Sequence, residues 1–193
     1  MDAKLTPEKL FADLIKRQQQ QSENLPPVHL WCPEKTGHMD LRIDREGRWL
    51  HEGAEIKRPA MVKLFSSILR REGDNYFLVT PVEKWQITVD IAPFYMVYAR
   101  RELRDSVQVI RLISSTDDEI LLDKDHPLVI ERTAENEVIA PLVTVRDNLQ
   151  GVLSRSVYYQ LVDWGQVNSL PNGENELVIE SLGCQFSLGR YPA

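Results

Sequence analysis

The sequence predicts an α+β protein of two related units behind an N-terminal helix, and three observations carry that prediction. A polar break, RQQQQSENLPP (17–27), closed by two prolines, separates the first helical pattern from everything that follows. From Val28 onward the text is short alternating apolar segments bounded by turn residues, interrupted by two helical patterns. Finally, LVTPVEKWQI (78–87) is echoed without a gap by LVIESLGCQF (177–186), which aligns Leu78 with Leu177, Val79 with Val178 and Gln86 with Gln185. The divisions that follow are 1–27 for the helix and linker, 28–92 for the first unit and 93–193 for the second.

The N-terminal helix is punctuated by Thr6 as N-cap and Pro7 at the first helical position, with Leu5 and Leu10 at the spacing of a hydrophobic staple. Leu10, Phe11, Leu14 and Ile15 form one apolar stripe, so the helix is expected to dock. In the first unit MDLRI (39–43), GRWL (47–50) and AEI (54–56) read as short strands, with DREG (44–47) as a turn. RPAMVKLFSSILRREG (58–73) reads as one helix: Pro59 in the first turn, Met61, Leu64, Phe65, Ile68 and Leu69 buried, Arg70 and Arg71 against the helix dipole, and Gly73 as the stop. NYFLVT and EKWQITV then form a hairpin broken at Pro81, which has no N–H to donate.

The second unit begins with strand candidates in FYMVYARREL, SVQVIRLISS, EILLD, PLVIE and EVIAPLVTVR. SRSVYYQLVDWG (154–165) is its helix, with Val157, Tyr158, Leu161 and Val162 apolar and Gly165 as the stop, and NELVIESLGCQFSLG supplies a last hairpin. Both halves therefore end in a helix and a hairpin, a duplicated strand–helix–hairpin core. A groove between two such units is a usual place for a ligand.

Composition removes several function classes. A formal net charge of −6 opposes a dedicated nucleic-acid surface, which needs concentrated basic residues. No apolar run reaches the roughly 20 residues of a membrane span, so no membrane insertion is expected. The charged N-terminus has no apolar core of a signal peptide, and Cys32 and Cys184 stand far apart, as free thiols of a reducing compartment do; the expected location is cytoplasmic. There is no P-loop, dinucleotide fingerprint, HExxH or GxSxG, which removes the familiar enzyme classes without excluding an enzyme, so no catalytic residue and no cofactor is assigned.

Four constellations could still carry chemistry. Glu83, Lys84 and Trp85 crowd one hairpin, near Arg58 at a helix start where free N–H groups favour an anion. Trp85 as a core residue with Lys84 at the surface is the structural alternative. Arg100, Arg101, Arg104 and Arg111 could hold phosphate, but alternation sends Arg100 and Arg101 to opposite faces, as on a solvated sheet. His29, Cys32 and His38 lack the paired spacing of a zinc site, so no metal is assigned. Arg155 and Tyr158 open the second helix, where adjacent tyrosines cannot both face inward and one could stack on a planar ligand.

PPVHLW, the LFSSILRR…YFLVTPVEKW block and SRSVYYQLV together resemble the bacterial family known as domain of unknown function 1285, from about Pro26 to the C-terminus. The resemblance implies a two-domain α+β protein with a duplicated core and a second domain superficially like pleckstrin-homology folds. It also implies a ligand site at the domain interface, for a nucleotide-like molecule, with a role in signalling. It implies no catalytic residues. The family pattern has asparagine at Cys32 and aspartate at His38, which weakens any thiol or metal role there.

The leading expectation is a regulatory module binding an anionic, nucleotide-like small molecule, with Arg58, Lys84 and Arg155 for charge and Trp85 and Tyr158 for stacking. The second is a protein–protein adaptor that binds a protein partner through its N-terminal helix or an open sheet edge. The third is an enzyme of unfamiliar type using Glu83, Asp90 or His51.

Overall fold

The structure is a computed structural model that describes residues 25–134 and 138–193. The expected N-terminal helix falls outside the described residues. The described chain divides into two units. The first takes the described residues up to Arg42 together with Trp49–Thr88, and the second takes Ile43–Arg48 and Val89–Ala193. Both are mostly β, and among the described residues only two α-helices occur, so strand outweighs helix more than an even α+β balance would suggest.

The first unit is built on a six-stranded sheet. In chain order its strands are β1 (Lys35–Ile43), β2 (Trp49–His51), β3 (Ala54–Glu55), β4 (Leu69–Glu72), β5 (Asn75–Val79) and β6 (Glu83–Val89), arranged β3-β2-β1-β6-β5-β4. In β5, Tyr76, Phe77, Leu78 and Val79 are all buried, which is why YFLV is a continuous apolar run rather than an alternating one. The helix α1 (Pro59–Ser67) buries Met61, Leu64 and Phe65, and Phe65 packs on Trp49 with ring centroids 6.1 Å apart.

That helix is shorter than its sequence pattern. Ser66 and Ser67 turn their hydroxyls back to the carbonyls of Lys63 and Leu64, at 2.9 and 2.7 Å, and the helix stops there. Leu69, Arg70, Arg71 and Glu72 instead form β4, paired antiparallel with β5 through Leu69–Leu78 and Arg70–Phe77. Long-range pairing overrides a local pattern that suited either element. Gly73 does adopt the left-handed conformation, φ +59°, but in the β4–β5 turn and not at a helix end.

The second unit has a six-stranded and a three-stranded sheet. The larger comprises β7 (Phe94–Arg104), β8 (Val107–Ser114), β9 (Glu119–Leu121), β10 (Leu128–Arg132), β11 (Val138–Arg146) and β12 (Leu149–Leu153), in the order β10-β11-β12-β7-β8-β9. The β12–β7 pair is parallel, so the sheet is not a simple meander. Gly151 allows it: a Cβ there would meet Met96 Sδ at 2.9 Å and Phe94 Cβ at 3.2 Å. The helix α2 (Arg155–Trp164) follows, capped by Ser154, whose hydroxyl accepts from Val157 N at 3.2 Å. It buries Val157 and Leu161 and leads into β13 (Gln166–Ser169), β14 (Glu174–Ser181) and β15 (Cys184–Pro192), the smaller sheet. Ser181 and Leu182 fasten that sheet to β8: Ile110 N donates to Ser181 Oγ at 2.9 Å and Leu182 N to Gln108 O at 2.8 Å.

Each helix is thus followed by three antiparallel strands, one more than the hairpin expected from sequence. The echo is one of element order rather than of residue pairing. Leu78 faces Trp85, whereas Leu177 faces Gly189 and not the Cys184 that the gapless alignment pairs with it. The turns explain the slip. Leu182 and Gly183 close β14–β15 in two residues, both with positive φ (51° and 75°), while the first hairpin turns through Thr80, Pro81 and Val82.

Candidate functional site

Thr80 sets the geometry of the first hairpin. Its N–H and its hydroxyl both donate to Glu83 O, at 2.9 and 3.1 Å, and its hydroxyl accepts from Glu83 N at 3.1 Å. Strand alternation beyond that turn sends Lys84 and Trp85 to opposite faces. Lys84 faces Val79 across the ladder, on the same side as Phe77, Arg70 and Glu72. Its ammonium donates to Glu72 Oε2 at 2.7 Å and stands 4.6 Å from the centre of the Phe77 ring. Arg70 Nη2 donates to the other oxygen, Glu72 Oε1. The hydrogen bond from Lys84 holds Glu72 below the ordinary glutamate range, helped by Arg70 and opposed by burial.

Arg70 also reaches back along the chain. Its Nη1 donates to Val28 O at 3.0 Å and to Trp31 O at 2.7 Å, the two ends of the short 3-10 turn in PPVHLW. Three sequence blocks far apart in the chain, PPVHLW, LFSSILRR and VEKW, are therefore joined by one polar network. Arg70 Nε is buried without a hydrogen-bond partner among the described residues.

Trp85, half-buried on the other face, lies against Gly37, where a Cβ would approach Trp85 Cζ3 to 2.4 Å. Lys35 bridges over it, 5.2 Å from the ring centre and 3.2 Å from Glu83 Oε2. Arg58 is the N-cap residue of α1, exposed, and makes no side-chain cap bond. These three expected site residues, Arg58, Lys84 and Trp85, belong to the first unit.

Arg155 and Tyr158 belong to the second. Arg155 is the first residue of α2 and is exposed. Tyr158 is half-buried and its hydroxyl donates to Leu188 O on β15 at 2.6 Å. Burial pushes its phenol above the ordinary tyrosine value, and nearby Arg132 pulls the other way. Tyr159, its neighbour at 6.1 Å between ring centres, is 64% exposed, so of the two tyrosines it is Tyr159 that offers an open face.

The remaining constellations take structural places. Arg100 and Arg111 share Glu102, Arg111 also bonds Glu119, and Arg101 on the other face stacks 5.2 Å above Trp164. Glu83 is committed to Lys35. No group of three metal-ligating side chains occurs among the described residues. No helix among the described residues is long and apolar enough to cross a membrane. The residues that sequence reasoning missed are Arg70 and Glu72, placed there in a helix end and its stop. The one available signal was that RRE follows an apolar pair and precedes a Gly-Asp turn, which suits an edge strand as well as a helix.

Two family models match the chain: "Domain of unknown function (DUF1285), N-terminal domain" over residues 26–92 and "Protein of unknown function (DUF1285), C-terminal domain" over 93–188. Among solved structures, a DUF1285 family protein from Silicibacter pomeroyi DSS-3 is similar with a TM-score of 0.76 and 38% identity, covering 90% of this chain and 93% of that one. Another, from Shewanella baltica OS155, has a TM-score of 0.51 and 26% identity, covering 65% of this chain and 91% of that one. No curated protein matches.

Proposed function

This chain belongs to the DUF1285 family, and from that premise we propose that it is a cytoplasmic regulatory module, acting in signal transduction, that binds an anionic, nucleotide-like small molecule. The observation that carries the reading is the placing of Arg58 and Arg155. In a chain of net charge −6, each α-helix of the described residues begins at an exposed arginine that makes no ion pair among those residues. A cation at a helix start is suited to phosphate. At α1 Pro59 has no N–H and Met61 N is bonded to Arg58 O, and at α2 Ser154 takes Val157 N, so the arginine charge carries most of that attraction. Lys84 adds charge beside an aromatic plane, Trp85 and Tyr158 are half-buried rings, and Tyr159 beside Tyr158 offers the open face on which a planar group would stack. A likeness of the second unit to pleckstrin-homology folds belongs to the same reading, although here three strands follow the helix.

A thermal-shift panel of nucleotides and phosphorylated metabolites tests it. A ligand at a hundred times its Kd contributes about 2.7 kcal/mol, a readable rise in melting temperature. Arg58→Ala and Arg155→Ala are expected to reduce that rise, and no rise with any compound would remove the reading. The alternative, a protein–protein adaptor, is favoured by β13, whose four residues are all exposed and which pairs on one side only. It requires a stoichiometric partner on co-purification, lost when residues 1–25 or the β13 edge are altered.

A further inference from the structure

We infer that Arg70 and Lys84 form an anion site in the first unit whose resident occupant is the chain's own Glu72, a carboxylate that a ligand's carboxylate or phosphate group displaces. The inference rests on the proposed anion-binding role and gives it a place and a form of self-inhibition.

Two cations face one anion here. Glu72 divides its oxygens between them, Oε1 to Arg70 Nη2 and Oε2 to Lys84 Nζ at 2.7 Å. That is the contact pattern an incoming carboxylate or phosphate would receive. The cations are also the fixed members. Arg70 and Lys84 side chains are 20% and 18% exposed, against 38% for Glu72. Arg70 is tied by Nη1 to the Val28 and Trp31 carbonyls, and Lys84 lies over Phe77, so each has an anchor besides Glu72. Glu72 sits instead at the end of β4, an edge strand, with Gly73 at φ +59° next to it. Its side chain can leave by rotating outward while the ladder stays intact. Arg70 Nε, buried without a partner among the described residues, supplies a further donor that Glu72 does not satisfy.

The test uses the full chain with inorganic phosphate and acetate as probes, read by amide shifts in 1H–15N spectra. Glu72→Gln, which keeps the shape and removes the charge, is expected to bind at least one probe ten or more times more tightly than wild type, with shifts centred on Arg70, Phe77 and Lys84. Adding Lys84→Met is expected to abolish the gain. If Glu72→Gln fails to fold, Glu72→Asp, which withdraws the carboxylate by one methylene, is expected to give a gain of threefold or more. A folded variant that binds neither probe more tightly than wild type overturns the inference. Shifts centred elsewhere overturn it too, and leave the module reading standing if wild type binds a metabolite. Conversely, a clear gain in Glu72→Gln with no metabolite binding to wild type sinks the module reading and leaves the Arg70–Lys84 anion site.

Discussion

Lys84 shows how a residue changes meaning between sequence and structure. In the sequence it is a base between an acid and a tryptophan, suited to the mouth of a binding site. In the structure its charge is already matched, by a carboxylate twelve residues earlier that sits on the neighbouring strand but one. Nothing local could announce Glu72 or Arg70 as partners, because their meeting depends on β4 being a strand and on its register with β5. Alternation, by contrast, was legible: Lys84 and Trp85 do part to opposite faces, as Arg100 and Arg101 do. The Glu72 cluster has a pH consequence. Its folded pKa is depressed, so its contribution to stability is present above the unfolded value and is lost as pH falls through the folded one. Wild type is therefore expected to be more stable than Glu72→Gln near neutrality. The gap should narrow once pH drops below about 4, the range in which a free glutamate protonates. Urea midpoints measured between pH 7 and pH 3 check this, and a gap that stays constant contradicts the assignment.

At the scale of elements, most of the chain's helices and strands could be read from periodicity and punctuation. The second helix is the clearest case: Val157 and Leu161 are buried one turn apart and Gly165 ends it, as SRSVYYQLVDWG suggests, and the structure adds Ser154 as its cap. Replacing Ser154 by alanine removes the acceptor for Val157 N and is expected to cost about 1 kcal/mol in chemical denaturation. A cost near zero would mean that the cap is dispensable. The first helix was overread, because Ile68 and Leu69 extend its apolar stripe by position while serving the sheet by contact. Besides β4, which the overread helix hid, two strands, β12 and β13, were not foreseen. LQGVL contains a glycine that weakens any strand pattern and is needed because Met96 and Phe94 of the parallel neighbour and Val145 of β11 come close. QVNS is four exposed residues with no alternation to detect.

For the whole molecule, a helix followed by a hairpin at the end of each unit was visible in outline as an internal echo, while the third antiparallel strand of each was not. The residue correspondence was not, because hairpin register is set by turn chemistry: Thr80-Pro81-Val82 against Leu182-Gly183. Arg58 and Arg155 are a chemical point the two units share, each an exposed arginine at the start of its unit's helix. The central claim, that this acidic chain carries sites for an anionic small molecule, is tested most directly by isothermal titration of the full chain with the compound giving the largest thermal shift. The account predicts saturable binding that weakens at least tenfold in Arg58→Ala or Arg155→Ala. Binding unchanged in both variants, or no saturable heat with any compound, would contradict it.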